Sequence, residues 1–352
     1  MQNFSSLEYE LREIIKGLIN PMRKPFGYLY CSFLLFFLRK LKSNLYITYD
    51  NRGTQDGSGA QIQRNLAVHA LADASCISYL HSEILDVSVH PFDPFQSKEK
   101  RFEYIYKLNS FFSPKNKTGS EDSNFDSEIY EKRPSLFLLF KLKIVSMVKK
   151  KKILLRVVEV YSIIDKVPLY YKKLKCHYEF SPLFREYPLD SDIDIVVHFR
   201  QGVGGMVLYH QQSMPRELPI KYFVECLNEI EKKVGKSVNS KILILTDAPV
   251  SDSVYAPPLE QLHNWVNTPG FDNNIMRIIG MDLKDLFAKF GFEVSVKSGG
   301  DPLEAISFMM QSNYLIISRS SMSYLGAILN DSDNIYYPKQ FWHPKLPKWI
   351  EK

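Results

Sequence analysis

The chain has 352 residues and only four cysteines, Cys31, Cys76, Cys176 and Cys226. No two are spaced as C-x-x-C, which excludes the common zinc frameworks and a redox dithiol; reduced core thiols in a cytoplasmic protein are expected. No secretory signal is expected, because the apolar run 26–38 meets Arg39-Lys40 in place of a small-residue cleavage site. That run is shorter than the ~20 apolar residues needed to cross a bilayer, so no spanning helix is expected. No G-x-G-x-x-G follows the first strand-like run with an acidic residue about 20 positions on, which excludes the dinucleotide signature of Rossmann dehydrogenases. No Asp-x-Asp stands in a loop suited to a divalent metal; Asp190-Ser-Asp192-Ile-Asp194 leads into a strand and reads as its solvated start. No internal repeat has a fixed period.

Charge of either sign is close to balanced, with 45 Lys+Arg against 39 Asp+Glu and a net charge of +6. The excess is local, at Arg23-Lys24, Arg39-Lys40-Leu41-Lys42, the four lysines 149–152 and Lys172-Lys173. Such clusters are either solvated faces or points of attraction to anionic lipid headgroups. Lysines 149–152 lack the interleaved aromatics of a nucleic-acid surface. With basic residues on both sides, segment 25–42 either lies in a membrane interface without spanning it or packs as a buried helix. At 45% hydrophobic residues the chain can bury a large core, divided into domains 1–180 and 181–352.

Periodicity places a strand at 45–50, a turn-rich stretch at 51–59 and a helix at 60–74 with Ile62, Leu66, Val68, Leu71 and Ala72 as its apolar stripe. A strand at 77–81, a helix at 98–111, a mobile loop at 113–124, a helix at 136–150 and a strand region at 153–164 follow, with a domain boundary at 176–188. The second half alternates more cleanly. Strand 193–199 precedes a helix opened by Pro219 and ended by Gly235, with Ile220, Phe223, Val224, Leu227, Ile230 and Val234 on its buried face. Strand 241–247, helix 282–290, strand 292–296, helix 302–311, strand 314–318, helix 321–329 and strand 335–338 complete the series. Strands alternating with helices predict an α/β chain of parallel sheets with covered faces.

Two motifs carry chemistry. Strand 193–199 delivers His198 and Arg200, then Gly202, Gly204 and Gly205, to one sheet edge. At the carboxyl end of such a strand, an Arg fork beside exposed backbone N–H groups suits a phosphate or carboxylate. Near the end of the chain a strand runs into Ser318-Arg319-Ser320-Ser321 and a helix begins at once. Hydroxyls and N–H groups at a helix N-terminus form an anion pocket that Arg319 can reinforce, although Ser at an N-cap is as often structural. The aromatic stretches 90–95 and 341–349 either stack on sugars or pack over the sheets.

Four elements occur in order: Asp56-Gly-Ser-Gly-Ala60-Gln61-Ile-Gln63, His198-Phe-Arg200-Gln201-Gly202, Leu245-Thr246-Asp247, and the stretch from Asp301 to Ala327. This succession resembles the fucosyltransferase superfamily, the α-1,2-fucosyltransferases in particular, over about residues 50–90 and 190–330. The chain departs from the family at Gln201 and Val203, where a second Arg and an acidic residue are usual, and at Ala60, where Asn is usual. The first departure bears on GDP-fucose, which the paired arginines grip.

The resemblance implies a GT-B arrangement, two facing Rossmann-like domains with parallel sheets, donor on the C-terminal side and acceptor on the N-terminal side. It implies an inverting, metal-independent glycosyltransferase with no cofactor. The donor would be a sugar nucleotide, GDP-fucose among the candidates, and the acceptor an oligosaccharide or lipid-linked glycan in surface polysaccharide assembly at the inner membrane face. Without a metal, the charge left on a departing diphosphate must be offset by cations and aligned donors. Arg200 is the first choice, with His198, Gly202, Asp247, Ser318, Arg319, Ser320 and Ser321 around the donor and Asp56, Gln61 and Arg64 toward the acceptor. His210, Glu217 and Asp56 are candidate bases. A non-catalytic sugar- or nucleotide-binding protein on the same frame is the alternative, favoured by Gln201 and Val203 and opposed by Arg200 and the serine loop.

Overall fold

The computed structural model describes residues 34, 36–52, 57–88, 97–115, 124–132, 134–158, 174–200, 218–235, 241–246 and 282–352. In the first half the strands are β1 (Leu45–Tyr49), β2 (Ser78–Tyr79), β3 (Ser127–Glu131) and β4 (Ile153–Val157), and the helices α1 (Ser58–Ser75), α2 (Lys98–Phe112) and α3 (Leu136–Lys149). The strands form a parallel sheet in the order β2-β1-β4-β3. In the second half, helices α4 (Ser181–Glu186), α5 (Ile220–Val234), α6 (Leu283–Ala288), α7 (Pro302–Gln311) and α8 (Ser321–Leu329) accompany strands β5 (Ile193–His198), β6 (Lys241–Thr246), β7 (Val294–Ser298), β8 (Tyr314–Ile316), β9 (Ile335–Tyr337) and β10 (Ile350–Glu351). These six strands form a second parallel sheet, in the order β10-β9-β8-β5-β6-β7. The α/β class and the parallel sheets follow the sequence pattern.

Local chemistry sets the helix ends. Asp301 accepts a hydrogen bond from Leu303 N–H at 2.9 Å and Pro302 opens α7, where its missing N–H costs nothing. Gly235 ends α5 at φ +81°, in the left-handed region, its N–H returning to Glu231 O. In β5 and β6 the runs Ile195-Val196-Val197 and Ile242-Leu243-Ile244-Leu245 are buried on both faces. One apolar cluster extends from β1 and α1 through α7 and α8 to Val196 and Leu243, and a second fills the opposite face of the sheet beneath α5 and α6.

Differences from the sequence reading have physical reasons. The strand expected at 153–164 ends at Val157, and residues 159–164 lie outside the described residues. The expected loop at 113–124 is described only at its two ends, and the polar strand β3 that follows it, Ser-Glu-Ile-Tyr-Glu, has too few apolar residues to announce itself. β7 starts two residues beyond its expected start, because Phe292 N–H returns to Phe287 O at 3.1 Å and so belongs to the turn that closes α6. The stretch 176–188 carries the end of a short 3-10 turn, Lys175–His177, and then α4.

α1 packs without a wet face. On it, buried His69 stacks on Tyr79 with ring centroids 4.2 Å apart, and its Nδ1 lies 2.8 Å from the Tyr178 hydroxyl. Burial, with lesser repulsion from His177 and His81, pushes its pKa down to about 3. Because the folded value lies below the unfolded one of about 6.5, the unfolded chain takes up a proton that the folded chain refuses. His69 therefore leaves stability intact above about pH 6.5 and erodes it as pH falls toward 3. Chemical denaturation at pH 7 and pH 5 should show a loss of about 2 kcal/mol attributable to this group. His69→Phe should lack that part of the loss; equal pH dependence in both proteins contradicts the assignment.

Candidate functional site

In the second sheet β5, β6 and β7 succeed one another in one direction, and β8, β9 and β10 in the other. The strand order thus reverses between β5 and β8, and a crevice at their carboxyl ends is where ligands of open α/β sheets bind. His198 ends β5 and Arg200 follows it; Ser318, Arg319 and Ser320 lead from β8 into α8. His198 Nδ1 lies 2.6 Å from Ser318 Oγ, both groups being buried. Arg200 Nη1 donates to Ser320 Oγ at 3.1 Å.

Ser320 has a double duty. Its Oγ also accepts from Met322 N–H at 3.3 Å, capping α8. With both lone pairs taken, by Arg200 and by the helix, the hydroxyl hydrogen is left to donate. Ser323 holds the loop from behind, its Oγ donating to Ser318 O at 3.0 Å and Ser320 O at 3.1 Å. Tyr222 of α5 steadies the strands from below, its hydroxyl within 3.0 Å of Ile317 O and 3.1 Å of Tyr336 O. A guanidinium, a hydroxyl with its hydrogen left to donate and the first turn of a helix thus meet at the carboxyl edge of the sheet, a set of groups that suits an anion.

Arg319 takes a different place from Arg200. Its Nη2 donates to Lys339 O at 2.9 Å, and burial lowers its pKa, countered by Tyr222 and Tyr337. It braces the loop against the end of β9. Ser321, beside Ser320, stands 3.1 Å from His343 Nε2. Gln61 Nε2 donates to Asp86 O and Arg64 Nη1 to the Tyr49 hydroxyl, at 2.5 and 3.4 Å, so both are engaged within the first half. Gly202, His210 and Glu217 (in 201–217), Asp247 and Asp56 lie outside the described residues. Among the described residues no group of three or more His, Cys, Asp or Glu is arranged to hold a metal ion.

Two residues that the motif reading left without a role join the halves. Buried His343 reaches Gln63 Nε2 of α1 with Nδ1 at 3.1 Å and Ser321 with its other nitrogen, and Tyr324 stacks on its ring at 4.5 Å. The C-terminal aromatics 341–349 are therefore largely packing: His343 and Trp349 are buried, while Trp342 keeps 36% of its surface exposed. The sequence signal was the stretch itself, but nothing in it named Gln63 as a partner 280 positions away. Gly59 completes the junction. A Cβ there would stand 2.8 Å from Met322 Cα, so the amino-terminal turns of α1 and α8 meet only because position 59 has no side chain. Of the two glycines in Gly57-Ser58-Gly59, Gly59 serves helix contact, whereas a Cβ at Gly57 would meet nothing within 4 Å.

No family model matches the sequence, and no curated protein matches it. Among solved structures the chain is similar to POFUT1 in complex with GDP, at TM-score 0.38 and 11% identity over 84% of this chain and 98% of that one. It is also similar to a family 9 glycosyl transferase from Veillonella parvula DSM 2008, at TM-score 0.33 and 11% identity over 88% and 86% of the two chains. A third likeness is to the E. coli ADP-heptose lps heptosyltransferase II, at TM-score 0.28 and 8% identity over 87% and 86%.

Proposed function

We propose that the protein is a glycosyltransferase of GT-B type that binds the diphosphate of a sugar nucleotide at the carboxyl edge of its second sheet. The observation that carries this reading is the Arg200–Ser320 bond at the point where the strand order reverses, on the N-terminus of α8. As the sugar–phosphate bond breaks, charge grows on the leaving diphosphate; Arg200 and the Ser320 hydroxyl are placed to meet it without reorganisation. His198, locked to Ser318, orients the strand end. Transfer inverts the anomeric carbon, with the acceptor hydroxyl deprotonated by one of His210, Glu217 and Asp56. GDP-fucose is the first donor to try, and a surface glycan the acceptor class.

Thermal denaturation with GDP, UDP, CMP and ADP tests the donor site. The matching nucleotide at 100 times its dissociation constant should stabilise the fold by about 2.7 kcal/mol. Turnover of the matching sugar nucleotide should survive excess EDTA, because cations and hydroxyls take the role of a metal. Activity lost to EDTA and restored by Mg²⁺ or Mn²⁺ overturns the metal-independent mechanism; no stabilisation by any of the four overturns the site. Stabilisation without turnover on any sugar donor favours the binding-protein reading that Gln201 and Val203 support.

A further inference from the structure

Two cationic segments about a hundred positions apart in sequence meet at the amino edge of the first sheet. In one, the four lysines 149–152 are exposed and follow directly on Met147 and Val148, which are 42% and 71% exposed at the end of α3. In the other, Phe36 and Phe37 are 57% and 41% exposed, and Arg39, Lys40 and Lys42 come after them, also at the surface. Hydrogen bonds hold the two side by side. Lys143 Nζ of α3 donates to Leu38 O at 2.6 Å, Asn44 N–H to Ser146 Oγ at 2.9 Å, and Ile153 N–H to Asn44 O at 3.0 Å. Leu34 and Leu38 turn inward to the core, so the exposed phenylalanines belong to the outer side of a segment that is anchored.

We infer that this edge docks the protein on an anionic membrane surface. Seven cations, Arg39, Lys40, Lys42, Lys149, Lys150, Lys151 and Lys152, meet the negative headgroups, while Phe36, Phe37, Met147 and Val148 enter the headgroup–acyl boundary. The exposed aliphatic groups distinguish this partner from a nucleic acid, to which Met147 and Val148 offer nothing. Among the described residues no helix is long and apolar enough to cross a membrane, and the contact inferred here is an interfacial one. Because all strands of the sheet run parallel, its carboxyl edge points the opposite way, and docking leaves that edge open.

Flotation of the full chain with vesicles of phosphatidylglycerol and phosphatidylcholine, against phosphatidylcholine alone, tests the surface at low and high salt. Binding is expected only with the anionic lipid, weakening as salt rises. Combined Lys149→Glu, Lys150→Glu and Lys151→Glu should lower vesicle partition about a hundredfold, while stabilisation by nucleotide persists. Phe36→Ser with Phe37→Ser should weaken binding and leave its salt dependence unchanged; this second variant decides the matter if the charge reversal fails to fold. Indifference of the wild-type protein to anionic vesicles at low salt, wild-type partition of both variants, or tighter binding to an oligonucleotide that displaces the vesicles would each overturn the inference.

Discussion

Arg200→Ala should lower turnover of the sugar nucleotide by about 10²–10³-fold, the usual cost of removing one preorganised donor from a developing negative charge. Nucleotide affinity should fall less than turnover, since the charge on the diphosphate is greatest as the bond to the sugar breaks. Lysine should rescue poorly. Its ammonium carries the charge but lacks the planar fork that meets a phosphate while holding Ser320. The fold supplies a control, because Ser320 still accepts from Met322 N–H in the variant and α8 keeps its cap. An unchanged melting temperature beside a collapsed rate is the expected signature. Wild-type kinetics in Arg200→Ala would move the diphosphate away from this edge altogether.

Lys143→Met should destabilise the folded chain by about 3–5 kcal/mol, measured by denaturant unfolding. Lys143 is fully buried, and its Nζ donates to three main-chain carbonyls: Leu38 O at 2.6 Å, Ser75 O at 2.8 Å and Cys76 O at 2.8 Å. Two of these close the carboxyl end of α1, where a cation also opposes the negative end of the helix dipole. Burial lowers the pKa of the amine from its ordinary value. Methionine fills a similar volume and leaves all three oxygens dry and unmet. Stability equal to wild type would mean that water replaces the ammonium and that the carbonyl cluster contributes little.

These two residues differ in how visible they are beforehand. Arg200 follows an apolar strand and precedes glycines, and Ser320 stands where a strand gives way to a helix, so their positions at a sheet edge follow from local pattern. Helices 302–311 and 321–329 were legible for the same reason, each opened by a capping side chain just before its apolar residues. Lys143 is different. Lys141 and Lys143 sit two apart in one apolar helix, and nothing local says which one turns inward. The Gln63–His343–Ser321 bridge, the Gly59 contact and the short β10 likewise depend on chain segments far apart, which no periodicity encodes. The turn from Ser318 to Ser321 was legible as the point where a strand gives way to a helix, but the different places of Arg200 and Arg319 required Lys339 to be seen beside it.

Helix α1 is dry on every side: of its 18 residues 16 are buried, and only Arg64 and Asp73 are partly wet. One flank lies on the first sheet and the other against α8. A helix with a solvent face can change half its residues at little cost, whereas this one has almost no position where a substitution passes unnoticed. Among descendants of this chain, α1 should therefore be the slowest-drifting segment of the first half. Its small residues, Gly59, Ala67, Ala70 and Ala74, are fixed by the space they do not occupy, independently of whichever sugar or acceptor a lineage comes to use.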